Sequence, residues 1–252
     1  MDISSIDIST NIPETMETDT NNEKTIGIIG GLGPEATADF FNRIIRNTPT
    51  EKDQDHLHVI IDNNPKAPNR NQAIAGTGPS PFESFKQSAL RLKQAGAELL
   101  VMPCNTAHAF KDAIIHNVDT PFIDIVEEAT AHIAKHYPTI EKAGLLAVDG
   151  CLQTRLYHNA LAGWEIETQC LDTRAQHDFM ELIYQIKASG VNADIKQTMM
   201  SFARSLEDNG AEVIIAGCTE VPLVLSPKDL SIPLIDSTEI LATQCVRYAR
   251  QG

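Results

Sequence analysis

Short apolar runs alternate with amphipathic stretches along most of this chain, a pattern typical of strands and helices built around a parallel sheet. The pattern predicts strands near residues 25–30, 57–62, 98–103, 121–123, 143–148, 165–168, 212–216 and 233–235. It predicts helices near 35–47, 82–95, 106–117, 124–136, 152–161, 175–188, 192–208 and 237–250. The long segment 63–81 is rich in Pro, Asn and Gly, and we expect it to be a loop that covers a ligand cleft.

The second half of this pattern repeats the first. Gly-Ala-Glu occurs at 96–98 and again at 210–212, and a cysteine follows each of these glycines by eight residues. Each cysteine is followed by a Pro-apolar-Ile-Asp step, at 121–124 and at 233–236. Two related half-domains in one chain face each other across a pseudo-two-fold axis, so equivalent residues are expected to meet in a common cleft.

The repeat therefore predicts an α/β protein of two similar half-domains, each a mainly parallel four-stranded sheet flanked by helices. We place the N-terminal lobe at 24–138 and the C-terminal lobe at 139–252, with the last helix packing on the first lobe. Residues 1–23 are polar and acidic, and we expect them to form a disordered tail.

Composition excludes several classes of partner. The 252 residues carry a formal net charge of −14, and residues 1–23 contribute six of these negative charges. The rest of the chain therefore has a net charge of about −8, which is unsuited to binding nucleic acid. No apolar run reaches the roughly 18 residues of a membrane span, and no secretory signal is visible. Five cysteines, an odd number with no C-x-x-C pair, favour reduced thiols in a cytoplasmic protein.

The two repeated cysteines, Cys104 and Cys218, are the candidate catalytic residues. Each follows a predicted strand and precedes a predicted helix, at the sheet edge where α/β proteins bind ligands, and a helix start lowers the pKa of a thiol. Two thiols suit the removal of an α-proton beside a carboxylate, with one as thiolate base and the other as acid on the opposite face. Cys151, Cys170 and Cys245 are interpreted as structural, although Cys151 at a strand end is also a candidate for the cleft wall.

Three segments in order, GGLGPEAT at 30–37, PCNTAH at 103–108 and GCTEV at 217–221, resemble the aspartate/glutamate racemase family, and its aspartate racemases in particular. The similarity runs from about residue 24 to the C-terminus. The resemblance implies two similar α/β lobes, two-base racemisation by the two cysteines without a cofactor or metal, and a homodimer.

The resemblance also implies a set of substrate-binding residues for a small dicarboxylic amino acid. Glu220 favours aspartate, because glutamate racemases tend to carry His there. Arg70 and Lys187 match residues that hold the side-chain carboxylate, Arg with paired hydrogen bonds and Lys with a point charge. The remaining contacts are expected from a backbone turn and from strand-end donors, namely Leu32, Gly33, Asn105, Thr106 and Thr219.

Two positions depart from the family pattern and bear on substrate preference. Cys151 stands where many relatives have a hydroxyl residue, and Asn69 stands where relatives often have Asp before the Arg. Arg70 and Lys187 together indicate a dicarboxylic substrate, but they do not separate aspartate from glutamate. Within the wider superfamily, maleate isomerases also use two cysteines and arylmalonate decarboxylases use one.

Three other interpretations remain open from the residues. The G-x-G-x-x-A pattern at 31–36 with Asp62 at the end of the next strand fits a dinucleotide-binding turn, although the second half lacks it. Cys104, His108 and Cys218 together would make a ligand-poor metal site. A two-lobed dicarboxylate-binding protein would share the architecture but would need no thiols.

Overall fold

The computed structural model describes residues 23–251, so residues 1–22 of the predicted tail lie outside the described residues. Its strands are β1 (Ile26–Gly30), β2 (Val59–Asn63), β3 (Leu99–Val101), β4 (Phe122–Ile123), β5 (Lys142–Leu146), β6 (Glu167–Gln169), β7 (Val213–Ala216) and β8 (Leu234–Asp236). Its helices are α1 (Pro34–Arg46), α2 (Arg70–Ile74), α3 (Phe82–Gln94), α4 (Asp112–Ile115), α5 (Ile125–His136), α6 (Asp149–Gln153), α7 (Leu156–Ala162), α8 (Thr173–Ser189), α9 (Ala193–Asp208) and α10 (Ser237–Arg250). Within the described range, no helix has the length and apolarity that crossing a bilayer requires.

The eight strands form two four-stranded sheets of identical order. The first runs β2-β1-β3-β4 and the second β6-β5-β7-β8, and every strand pair is parallel. The predicted α/β fold of two similar half-domains is therefore confirmed. The strand order reverses between β1 and β3 in the first sheet and between β5 and β7 in the second. In open α/β sheets, ligands bind at such a switch point, beyond the carboxyl ends of the strands.

The central strands are apolar, except for Lys142 at the start of β5, because helices cover both faces of each sheet. Every residue of β1, β3 and β7 is buried, whereas the edge strands β2 and β6 are partly exposed. Alternate residues of β1 point to opposite faces. Ile28 belongs to a hydrophobic core that also contains Leu145 and Ile215 of the second sheet, and Ile29 belongs to a smaller core with Phe85 of α3.

The C-terminal helix attaches the second lobe to the first. The predicted boundary near 137–138 lies between the end of α5 and the start of β5, and α10 packs on α1 and α5. At this contact Arg43 of α1 donates hydrogen bonds to Asp236 at 2.6 Å and Glu239 at 2.9 Å. The backbone N–H of Lys24 also donates to the carbonyl of Ala249.

Two predicted helices differ from the observed ones. The segment predicted as one helix over 106–117 is a 3-10 helix at Asn105–Phe110 followed by the short α4. The segment predicted at 152–161 is divided into α6 and α7 by Arg155, whose φ of 56° is left-handed and interrupts the helix. The loop 63–81 contains the short helix α2.

Candidate active site

A cavity of about 240 Å³ lies at the carboxyl ends of the two sheets. It is smaller than the roughly 300–1,000 Å³ of sites that enclose drug-sized ligands, so it suits a small molecule. Its wall includes all ten residues predicted to be catalytic or substrate-binding, which are Leu32, Gly33, Arg70, Cys104, Asn105, Thr106, Lys187, Cys218, Thr219 and Glu220. The fold thus brings together residues that lie up to 188 positions apart in sequence.

The two repeated cysteines enter this cavity from equivalent strands of the two sheets. Cys104 follows β3 and Cys218 follows β7, and each of these strands pairs with the first strand of its half. The two residues are almost equally buried, with 8% and 7% of their surface exposed. Cys151 is fully buried and does not line the cavity, and burial raises the pKa of its thiol to about 12. The structural interpretation of Cys151 therefore agrees with its position.

Cys218 lies in contact with an ion pair whose carboxylate is buried. Its Sγ donates a hydrogen bond to Oε2 of Glu220 at 2.9 Å, and Oε1 of Glu220 lies 2.9 Å from Nζ of Lys187. Burial, and then the Glu220 carboxylate, raise the pKa of Cys218 well above its ordinary value. Burial alone would lower the pKa of Lys187, but the negative charge of Glu220 raises it.

The expectation that a helix start lowers the thiol pKa is therefore wrong for Cys218. Directly after this residue the chain forms a turn and then the 3-10 helix Val221–Leu223, so no α-helix begins at this cysteine. Burial and the adjacent carboxylate determine the direction of the shift instead.

Arg70 presents a guanidinium without a carboxylate partner. It donates hydrogen bonds to the backbone carbonyls of Pro68 at 3.1 Å and Leu32 at 3.2 Å, and among residues 23–251 it forms no ion pair. Because Arg carries five N–H donors, several remain for a ligand. Asn69 caps α2 through its side chain, which accepts a hydrogen bond from the N–H of Gln72. Asp would cap this helix equally well, so the departure at Asn69 leaves the start of the helix that carries Arg70 unchanged.

The loop 63–81 lies along the cavity, as its composition led us to expect. Pro65, Arg70 and Asn71 of this loop line the cavity wall. Oδ1 of Asn71 accepts a hydrogen bond from the N–H of Gly150 at 3.2 Å, so the loop also bridges to the second lobe.

Asn105 supplies a buried donor that lacks a partner. Only 2% of the residue is exposed, and its Oδ1 accepts a hydrogen bond from the hydroxyl of Tyr157 at 2.6 Å. Its Nδ2 has no hydrogen-bond partner in the described part of the chain. A buried unsatisfied donor costs about 1–3 kcal/mol, so Nδ2 is suited to a ligand that brings an acceptor such as a carboxylate.

The glycine turn after β1 is held by a threonine that recurs in the second half. Oγ1 of Thr37 accepts a hydrogen bond from the N–H of Gly31 and donates to the carbonyl of Gly33. Gly31 has a φ of 85°, and a Cβ there would clash with the backbone of Asn64. In the second half Thr154 donates in the same way to the carbonyl of Gly150 at 2.8 Å.

The dinucleotide and metal interpretations lack support from the geometry. Oδ2 of Asp62 accepts hydrogen bonds from Ser88 at 2.5 Å and from Arg91 at 2.6 Å, so this carboxylate is engaged locally. His108 uses both ring nitrogens within the protein, since Nδ1 lies 2.9 Å from the carbonyl of Cys104 and Nε2 accepts from the N–H of Ile125. The single three-residue group of potential metal ligands in the described range lies elsewhere, on the exposed surface of α8.

Helix α8 supplies cavity residues that the sequence analysis missed. Met180, Ile183 and Tyr184 line the cavity together with Lys187. These positions are seven, four and three residues before Lys187, which places all four on one helix face. The assignment of Lys187 to a predicted helix was therefore a sufficient signal to find them.

Comparison with known proteins shows a family and a fold to which the chain is similar. The family model described as Asp/Glu/Hydantoin racemase matches residues 29–245. The broad specificity amino-acid racemase RacX of Bacillus subtilis (strain 168) is 27% identical over 229 residues, covering 88% of this chain and 96% of RacX. The structure of Picrophilus torridus aspartate racemase superposes with a TM-score of 0.80 at 27% identity, over 90% of this chain and 94% of that one. Francisella tularensis glutamate racemase, in complex with D-glutamate, shares the fold with a TM-score of 0.64 at 16% identity, over 90% and 80% of the two chains.

Proposed function

This chain belongs to the Asp/Glu/Hydantoin racemase family, and on that premise we propose that it interconverts L- and D-aspartate by proton transfer between its α-carbon and two cysteines. The protein is a racemase, and hence an isomerase. The observation that carries the proposal is the placement of Cys104 and Cys218, equally buried, in the wall of one small cavity that also contains the carboxylate-free guanidinium of Arg70.

The proposed reaction uses one thiol on each face of the α-carbon. The thiolate of one cysteine removes the α-proton, and the thiol of the other delivers a proton to the opposite face of the planar carbanion. The roles exchange for the other enantiomer, and no cofactor is required. Negative charge that develops on the α-carboxylate is stabilised by fixed donors in the cavity, for which Nδ2 of Asn105 and the hydroxyls of Thr106 and Thr219 are the candidates.

The charges of the cavity support a dicarboxylic substrate. Lys187 is paired with Glu220, so Arg70 is the cation available to the side-chain carboxylate. Since this cation suits the side-chain carboxylate of glutamate as well as that of aspartate, glutamate is the second substrate to test.

The decisive experiment is to incubate the protein with L-aspartate and, separately, L-glutamate in deuterated water. We expect deuterium at the α-carbon together with loss of circular dichroism for aspartate, because a two-base racemase takes the new α-hydrogen from exchangeable thiols. A folded protein that leaves the α-hydrogen of both amino acids unexchanged would overturn the proposal and favour another superfamily reaction or a binding role.

Cys104→Ala and Cys218→Ala are each expected to lower the racemisation rate by about 10²–10⁴-fold, the usual contribution of a general acid or base. Cys170→Ser is the matched control, since Cys170 is free, half-buried and outside the cavity wall. Polarimetry of all three variants with L-aspartate gives the measurement. Full turnover in either alanine variant would refute the two-base scheme.

We also propose that the enzyme is a cytoplasmic homodimer. The five cysteines of the chain are all free in the structure, which is the usual state of thiols in a reducing compartment. The dimer follows from the family resemblance, and light scattering of the purified protein tests it. A monomer at micromolar concentration would contradict this part of the proposal.

A further inference from the structure

Glu220 makes contacts that a role in binding substrate does not explain. The residue is only 5% exposed. Its Oε2 accepts hydrogen bonds from Sγ of Cys218 at 2.9 Å and from the hydroxyl of Thr219 at 3.3 Å, and its Oε1 is paired with Lys187. Both carboxylate oxygens are therefore occupied by protein groups before any substrate binds.

We propose that Glu220 is a positioning residue that keeps the proton on Cys218 in the free enzyme, so that Cys104 is the cysteine that holds the thiolate. This inference rests on the proposed two-cysteine function and adds the assignment of its two protonation states. An ionised carboxylate only accepts hydrogen bonds, so a sulfur at 2.9 Å must contribute the hydrogen. A thiolate there would bring two anions into contact at a buried site, and Lys187 neutralises only one of them.

Cys104 has different surroundings. Its Sγ forms no hydrogen bond with a carboxylate within residues 23–251. Apart from Glu220, the charged groups of the cavity wall are the cations Arg70 and Lys187. Lys187 interacts electrostatically with both sulfurs, so it stabilises a thiolate at either position. The Glu220 carboxylate is the charged group that distinguishes the two cysteines.

The reaction cycle follows from this assignment. The thiolate of Cys104 takes the α-proton and becomes a thiol, while the carbanion takes the proton of Cys218, which becomes a thiolate. Release of product leaves the two protonation states inverted, with the thiolate of Cys218 beside Glu220. The enzyme returns to rest when Cys218 gains a proton and Cys104 loses one, either through solvent or by turning over a molecule of the opposite hand. Glu220 thus determines the form to which the free enzyme relaxes.

The test is alkylation of the full-length protein by iodoacetamide near neutral pH without substrate, with each cysteine followed by peptide mass spectrometry. Only the thiolate reacts, and the two residues have nearly equal exposure, so the rate ratio reports ionisation. We expect Cys104 to react at least about tenfold faster than Cys218, since each unit of pKa difference changes the thiolate fraction tenfold. Cys170, which lies outside the cavity, serves as the internal reference.

Two variants with opposite expected effects on the Cys218 alkylation rate distinguish a change in thiol ionisation from a change in the access of iodoacetamide to the sulfur. Glu220→Gln removes the carboxylate charge and is expected to raise the Cys218 rate about tenfold or more, with its pH profile moving to lower pH. Lys187→Met leaves the carboxylate uncompensated and is expected to slow Cys218. A loosened cavity would instead increase the rate in both variants.

The proposal is overturned if Cys218 reacts as fast as Cys104 in the unaltered protein, or if Glu220→Gln leaves the Cys218 rate unchanged. Should Glu220→Gln fail to fold, Lys187→Met decides, because an uncompensated carboxylate beside the sulfur must slow the alkylation of Cys218. No substrate is present in this experiment, so its failure is distinct from a failure of deuterium exchange with aspartate.

Discussion

The guanidinium of Arg70 is held in position by contacts that do not neutralise its charge. Two backbone carbonyls hold the guanidinium, and the described chain places no carboxylate on it. We expect Arg70→Gln to raise KM for aspartate about ten- to hundredfold with a smaller change in kcat, because charged hydrogen bonds contribute about 1.5–3 kcal/mol. Arg70→Lys should recover only part of the loss, since Lys cannot form the paired contact.

Lys66→Gln is the matched control for this prediction, because Lys66 is an exposed cation of the same loop and lies outside the cavity wall. Initial rates of racemisation over a range of aspartate concentrations separate KM from kcat. An unchanged KM in Arg70→Gln, or an equal rise in Lys66→Gln, would remove Arg70 from substrate binding.

Residue types in the sequence were sufficient to predict ten residues of the cavity wall, but neither its apolar residues on α8 nor the pairing of its charges. Cys104 and Cys218 were found because a duplication places them at equivalent strand ends. The contact of Lys187 with Glu220 joins residues on α8 and after β7, and a sequence pattern does not determine which rotamers meet across such a distance. For the same reason the raised pKa of Cys218 was not foreseen, since it depends on burial and on that pair.

At the scale of elements, the hydrophobic pattern located strands and long helices but not the segment after Cys104. The period of apolar residues over 106–117 fits an α-helix, yet the carbonyl of Cys104 accepts from the N–H of Ala107 and lies 2.9 Å from Nδ1 of His108. The His108 side chain thus occupies the position that its own backbone N–H would take in an α-helix. A 3-10 helix results, and periodicity does not record this competition.

His108 links this 3-10 helix to α5, and the link requires a neutral imidazole. Nε2 accepts a hydrogen bond from the N–H of Ile125, so the ring proton resides on Nδ1, which donates to the carbonyl of Cys104. Burial lowers the pKa of His108, and the nearby carboxylate of Asp124 only partly opposes this. In the unfolded chain the imidazole takes a proton near its reference pKa of about 6.5.

The sign of the pH dependence follows. The stability that neutral His108 contributes is complete above about pH 6.5 and is lost as the pH falls below that value, by at most about 1.4 kcal/mol per pH unit. We expect His108→Gln, which keeps one donor and one acceptor, to flatten the decline in unfolding free energy between about pH 7 and pH 5. His177→Gln, at an exposed position on α8, should leave the slope unchanged. Equal slopes for His108→Gln and the unaltered protein in urea titrations would contradict this role.

At the scale of the whole molecule, duplication explains both the fold and the place of the site. The repeated Pro-apolar-Ile-Asp steps end in Asp124 and Asp236, which cap α5 and α10 through their side chains. The equal strand orders of the two sheets follow from the same repeat. The repeat did not predict how the two halves are attached to each other. Arg43 on α1 makes this contact, and Arg43 is not part of the repeated motifs.

Arg43 joins the two lobes through a largely buried cluster of charges. Its side chain is 9% exposed and lies 2.6 Å from Asp39, 2.6 Å from Asp236 and 2.9 Å from Glu239. Burial opposes the charge of Arg43, but Asp236 and Asp39 raise its pKa further. Removing the cation would leave three carboxylates close together, two of them from the second lobe, so the cluster stabilises the contact between lobes only while it is complete.

We therefore expect Arg43→Met to lower the free energy of unfolding by about 3 kcal/mol, near the lower end of the cost of breaking a buried ion pair, because the carboxylates are partly exposed. Arg46→Met is the control: its guanidinium lies 3.9 Å from Asp39 with 60% of the side chain exposed, so it should cost no more than about 0.5 kcal/mol. The deficit of Arg43→Met should shrink as the pH falls, since protonation removes the repulsion among the carboxylates and also removes the ion pairs of the unaltered protein. Urea denaturation of the three proteins at neutral and acidic pH measures both effects, and a deficit that stays constant on acidification would show that Arg43 acts through packing and not through charge.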